Sequence, residues 1–194
     1  MFPRRTLSPL VLPPSDGAFV AIDFETADNG ADSACSVGLV RVEALKVVRR
    51  ETVLIRPPRS HILYTRVHGI TWKMVADAPP FAAVWPKLLP MLDGASHLVA
   101  HNASFDRRVL ETCCVRAGHA VPRLPFLCTV QLARKKWQLR PANLPAVCRF
   151  LNIPLNHHDA GSDAEACARI VIAASEFPRA PASGTLFDMG RPPT

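Results

Sequence analysis

Phe19-Val20-Ala21-Ile22-Asp23-Phe24-Glu25 sets the apolar residues Val20, Ile22 and Phe24 in alternation with Ala21, Asp23 and Glu25. Side chains of an extended strand change face at every residue, so the spacing predicts a strand from which Asp23 and Glu25 project together. Two neighbouring carboxylates in a low-dielectric setting repel unless a cation or a shared proton neutralises them. A divalent ion is the economical solution. An all-oxygen donor set favours magnesium or manganese over zinc, which draws on His and Cys. Taken alone, Asp-x-Glu is better explained as the wet face of an edge strand, so other segments must decide.

Outward from this strand, residues 27–33 are rich in Asp, Asn and Gly, which is turn chemistry. Two apolar runs, 35–42 and 46–55, follow across a short connection and predict an antiparallel meander with the first strand. Arg56-Pro57-Pro58-Arg59 ends it. His68-Gly69-Ile70-Thr71 reads as a turn into a short helix from Thr71. Residues 81–92 carry a helical stripe of Val84, Trp85, Leu88, Leu89 and Leu92, weakened by Pro86 and Pro90. Strands are expected at 97–100 and 126–128, and helices at 104–117, 129–137, 143–151 and 162–176. A meander followed by strands separated by helices predicts an α/β fold, a mixed sheet with helices on its faces.

The 194 residues, 48% hydrophobic and 20% charged, suit one soluble globular domain with tails. We place that domain at 17–176, after a flexible Pro-rich arm at 1–16 and before a disordered Pro-rich tail at 177–194. No apolar run is long enough to span a membrane. Prolines at 9, 13 and 14 break the N-terminal apolar run, so it is not a secretory leader, and a cytoplasmic location is expected. The six cysteines lack a Cys-x-x-Cys pair and read as small buried hydrophobes, reduced in the cytosol. A net charge of +7 points toward a polyanionic partner.

Two further segments carry chemistry. Leu98-Val-Ala-His-Asn-Ala-Ser-Phe-Asp106 runs from a buried strand through a polar junction into a helix, placing Asp106 in the first helical turn near the strand end. Its plain alternative is a helix-start residue. In His157-His-Asp-Ala-Gly-Ser-Asp-Ala-Glu165, Ser162 and Glu165 have capping-box spacing, which would start the last helix with Asp163 in its first turn. His158 then lies on the preceding loop with His157 as its competitor, and spacing from the helix does not choose between them.

These three segments, in this order and separation, resemble the DEDDh (DnaQ-like) superfamily of 3′-to-5′ exonucleases, whose members include polymerase proofreading subunits and RNA-trimming ribonucleases. The resemblance rests on Asp23-Phe-Glu-Thr26, on His101-Asn-Ala-Ser-Phe-Asp106, and on His158 ahead of Asp163, and it covers residues 18–176. Val67-His-Gly-Ile-Thr71 and the stretch 79–85 are also similar, and Ser33-Ala-Cys-Ser-Val-Gly38 resembles stand-alone bacterial epsilon-subunit-like exonucleases. It implies a ribonuclease-H-like fold with a mixed five-stranded sheet. It also implies two divalent ions, Mg²⁺ with Mn²⁺ able to substitute, held by Asp23, Glu25, Asp106 and Asp163. His158, which fits the family spacing where His157 does not, becomes the general base for water.

Thr26, His101, Asn102 and Phe105 match positions that approach the terminal nucleotides, although Phe105 serves equally as a core aromatic. Arg134, Lys135, Lys136 and Arg140 are suited to follow a phosphate backbone, or to form a solvated helix face. Ala27-Asp28-Asn29-Gly30 departs from the family's usual Thr/Ser-Gly, which leaves ribose against deoxyribose open. The implied activity is hydrolysis at single-stranded 3′ ends, DNA favoured over RNA, releasing nucleoside 5′-monophosphates. An RNA-trimming exoribonuclease is the alternative. A non-catalytic nucleic-acid-binding module ranks lower, because four clustered carboxylates repel a phosphate backbone. The tail segment Gly184-Thr-Leu-Phe-Asp188 is weakly similar to a clamp-binding peptide of a replication or repair partner, a reading outweighed by a chance apolar pair.

Overall fold

The computed structural model describes residues 10–176. Five strands, β1 (Ala18–Thr26), β2 (Ala34–Glu43), β3 (Lys46–Leu54), β4 (Ala95–Ala100) and β5 (Phe126–Cys128), form one sheet in the order β3-β2-β1-β4-β5. β1, β2 and β3 pair antiparallel, and β4 and β5 continue the sheet parallel to β1. The expected meander and mixed five-stranded sheet are therefore present. A parallel neighbour requires a crossover. It consists of α1 (Thr65–His68), α2 (Trp72–Val75), α3 (Phe81–Leu88) and a 3₁₀ turn, Leu89–Leu92.

The alternation in β1 divides the core. Val20, Ile22 and Phe24 pack with α3 and with α4 (Ser104–Arg116), around the buried Trp85. Phe19 and Ala21 pack on the opposite side with α5 (Thr129–Trp137), α6 (Leu144–Leu151) and α7 (Ala160–Glu176). Asp23 and Glu25 share the parity of Ala21, so they emerge beside α7.

Three expectations need correction. The stripe at 81–92 is not one helix: α3 stops at Leu88 and tightens into the 3₁₀ turn, since Pro90 has no N–H to continue an α-helical ladder. Ser162 does not start α7. Asp159 Oδ1 accepts the Ser162 N–H at 2.8 Å and caps the helix, while Ser162 Oγ accepts the Asn156 N–H at 2.7 Å. Glu165, freed from a capping box, pairs with Arg50 at 2.8 Å and with Arg169 at 2.6 Å. Finally, Leu10 and Leu12 pack against the second core and Pro13 is buried, so these three residues of the expected arm lie on the body. The remainder of that arm and the expected C-terminal tail fall outside the described residues.

Two contacts fix the region around the site. A Cβ at Gly38, which pairs with Asp23, would lie 2.1 Å from the Ala160 carbonyl oxygen, so only glycine lets the start of α7 rest on β2. The loop after β1 is pinned by Arg59, which reaches Asp28 at 2.7 Å and Asp32 at 2.6 Å. Five cysteines are buried and Cys128 is half-buried. No described helix is long and apolar enough to cross a membrane.

Candidate active site

β4 pairs with β1 only as far as Val99 opposite Ala21. Beyond that point the Phe24 N–H needs another acceptor, and it donates to Asp106 Oδ1 at 3.1 Å in a buried contact. The polar junction expected between β4 and α4 is a tight turn whose Asn102 takes a left-handed backbone, φ 64°. That turn delivers Asp106, 1% exposed, to the carboxyl end of β1. From the other side α7 brings Asp163, 4% exposed, so that the ligand-capable atoms of Asp23, Glu25 and Asp163 lie within 4.8 Å of one another.

Three carboxylates therefore meet at the strand end, and Asp106 is near enough for its charge to act on two of them. Burial first, then repulsion from Asp106, Asp163 and Glu25, pushes Asp23 well above the usual carboxylate range. Burial and the charges of Asp163 and Asp106 raise Glu25 to about 8. Burial raises Asp106 to about 7 against the opposing Phe24 N–H, and it raises Asp163 against the His158 N–H and the His157 ring. Asp106 Oδ2 and Asp163 Oδ1 are buried without hydrogen-bond partners. Unpaired, mutually repelling buried oxygens are what a divalent cation would satisfy.

Both histidines of the third segment reach Asp163. His157 Nδ1 lies 2.9 Å from Asp163 Oδ2, and the His158 N–H donates to the same oxygen at 3.1 Å. The two rings stack with centroids 3.8 Å apart. His158 has φ 70°, and burial together with His157 lowers its basicity against the opposing charge of Asp163.

Asn102, Phe105, His101, Arg134, Asn143 and Leu144 line one cavity with Asp23, Glu25, His158 and Asp163. Phe105 packs on the first core, as the core reading expects, and also borders this cavity. His101 is anchored by Nδ1 to Thr129 Oγ1 at 2.8 Å, and burial pushes it down to about 4. Thr26 is buried at the strand end, outside that lining, with its carbonyl 3.2 Å from His68 Nε2. His68, read from the sequence only as part of a turn, closes α1 against β1. Asn143 and Leu144, at the start of α6, were also missed, since a helix start carries no sign of which cavity it borders.

Carboxylates gathered at the carboxyl ends of the parallel strands of a mixed five-stranded sheet define a ribonuclease-H-like domain. The chain matches the family model for exonucleases of the RNase T type over residues 20–171 and belongs to that family. It is 35% identical over 163 residues to a PolC-type DNA polymerase III of Caldanaerobacter subterraneus subsp. tengcongensis, covering 81% of this chain and 11% of that one. The chain thus spans about a tenth of the length of the PolC-type relatives it matches. Exonuclease X in complex with 5′ overhanging duplex DNA superposes with a TM-score of 0.61 at 28% identity, covering 83% of this chain and 95% of that one. The nuclease domain of 3′hExo, a DEDDh family member bound to rAMP, shares the fold with a TM-score of 0.70 at 16% identity, covering 81% and 90%.

Proposed function

We propose that this exonuclease domain removes nucleotides from single-stranded 3′ ends, DNA in preference to RNA, as nucleoside 5′-monophosphates. The observation that carries the reading is the meeting of Asp23, Glu25 and Asp163, with Asp106 bonded to the Phe24 N–H behind them and two buried oxygens left unpaired. The DNA preference is supported by relatives above 25% identity, named as a DNA polymerase and as an exonuclease bound to duplex DNA. The PolC-type relatives support a replication or repair setting.

Asp23, Glu25, Asp106 and Asp163 would hold two divalent ions, Mg²⁺ or Mn²⁺. When bound, the ions supply Lewis-acid activation of water and of the departing 3′ oxygen. His158, whose ring stands in the cavity lining and whose backbone N–H is tied to Asp163, takes the proton from the attacking water. Asn102, Phe105 and His101 wall the cavity against the terminal nucleotides, Phe105 offering a ring to a base. Thr26 and His68 fix the strand end from which Glu25 projects.

The test takes a single-stranded DNA and an RNA of one sequence, both labelled at the 5′ end, with magnesium and then with chelator. A ladder shortening from the 3′ end on DNA and stopped by chelator is expected. Shortening of RNA alone would replace the DNA preference. Binding of either strand without shortening, in manganese as well, would refute catalysis.

A further inference from the structure

Between Glu111 and Asp159 the sequence holds no acidic residue, and α5, α6 and the loop joining them carry five of the seven cations of this span, Arg134 among them beside the site. Arg134, Lys135, Arg140 and Arg149 are exposed and form no ion pair among the described residues. On the opposite flank Arg50, Arg59 and Arg169 each lie within 2.8 Å of a carboxylate. Arg134 and Lys135 gain from the carbonyl end of α5. That gain does not account for Arg140, which lies beyond the helix, or for the missing acids.

The carboxyl ends of α5 and α6 meet where Trp137 and Phe150 approach, ring centroids 6.1 Å apart and tilted by 54°. Phe150 is 52% exposed, beside Arg149. A large apolar ring held in water among unpaired cations matches a ligand that carries flat apolar groups and regular negative charge. The surface is continuous with the catalytic cavity: Arg134 lines that cavity, and Trp137 stands three residues on, over the same side of α5.

We propose that the α5–α6 face is a track for the unpaired strand lying 5′ of the nucleotides in the cavity. Phosphates run along Lys135, Arg140 and Arg149, and one base rests on Phe150. The polarity of the strand rests on the exonuclease reading above; binding of a single strand to this face does not.

The test measures anisotropy of labelled single strands, a trinucleotide and one of about sixteen nucleotides, in EDTA so that nothing is cut. Hydrolysis of the p-nitrophenyl ester of thymidine 5′-monophosphate in magnesium reads out the site alone, since Arg149 and Phe150 line no part of the cavity. Phe150→Ala is expected to weaken the long strand roughly 5- to 150-fold. Arg149→Ala should reduce the slope of log K against log salt by about 0.7. Trinucleotide binding and ester turnover should stay at wild type in both. Wild-type affinity and salt slope in both variants would overturn the track. So would equal losses on trinucleotide and ester, or losses confined to blunt duplex. A variant-sensitive long-strand affinity in a protein that cleaves neither ester nor oligonucleotide would support the track and remove the exonuclease reading instead.

Discussion

Gly38→Ala places a methyl group 2.1 Å from the Ala160 carbonyl oxygen, 2.3 Å from its carbon and 2.7 Å from the Gly161 nitrogen. All three are backbone, so no side chain can rotate away. To restore even a tight contact of 3.0 Å the start of α7 must retreat by about one ångström, carrying Asp163 away from Asp23 and Glu25. Misplacement on that scale costs about 10²-fold in turnover, and overpacking costs about 1–3 kcal/mol of stability. Gly161→Ala is the matched control: its nearest clash, 2.3 Å, is with Thr52 Oγ1, a side-chain atom free to swing aside. Turnover of the nitrophenyl ester and a thermal melt of each variant decide the matter. Gly38→Ala with wild-type turnover and melting temperature, or Gly161→Ala as the more damaging change, would refute the argument.

Asp23→Ala should nearly abolish cleavage, and wild-type turnover in it would dispose of the proposed carboxylate cluster. His158→Ala should lose ~10²–10⁴-fold with metal binding retained by calorimetry; if His157→Ala were the damaging change, the base assignment would pass to His157. Glu25 and Asp106, raised to about 8 and about 7, hold protons in the fold that their unfolded forms have lost. Stability from these groups is present at low pH and falls as pH rises through those values. Chelated protein should therefore melt higher near ~pH 6 than near ~pH 9, with magnesium giving its larger stabilisation at the higher pH; a flat profile would contradict this. Asp28, lowered to about 2 by Arg59, contributes the opposite way: its stability is present above the ordinary carboxylate range and lost as pH falls through about 2. Discounted for the half-exposed guanidinium, Arg59→Ala should cost ~1 kcal/mol and ~2–4 °C near neutrality. The gap to wild type should close in acid, and an undiminished gap in an acid titration of both melts would sink the assignment.

Much of this was legible because period carries face. Alternation over 19–25 places Asp23 and Glu25 together, and the helix expected at 129–137 is observed as α5 with the same ends. Asp106 was readable because a strand-to-helix junction fixes where a first-turn carboxylate lies. What failed depended on partners distant in sequence. Asp159 outcompetes Ser162 as the cap because the loop folds back to give Ser162 the Asn156 N–H. The four-residue α1 has too little pattern to show a period, and the contact by which His68 closes on β1 is with Thr26, 42 residues away. Competition between His157 and His158 is invisible in spacing, since both reach one oxygen of Asp163 from adjacent positions.

The bond from Phe24 to Asp106 spans 82 residues, and Asp163 comes from a helix that docks on β1 and β2 only after every strand has been made. Such long-range closure is the slow part of folding. A chain emerging from the ribosome has Asp23 and Glu25 early and Asp106 midway, yet it lacks a complete cluster until α7 seats against Gly38. On the proposed site, capacity to cut therefore arrives in one late step. If the proposed cluster is the cutting site, half-made or partly unfolded copies should be inert, and cleavage should report on the integrity of the whole domain.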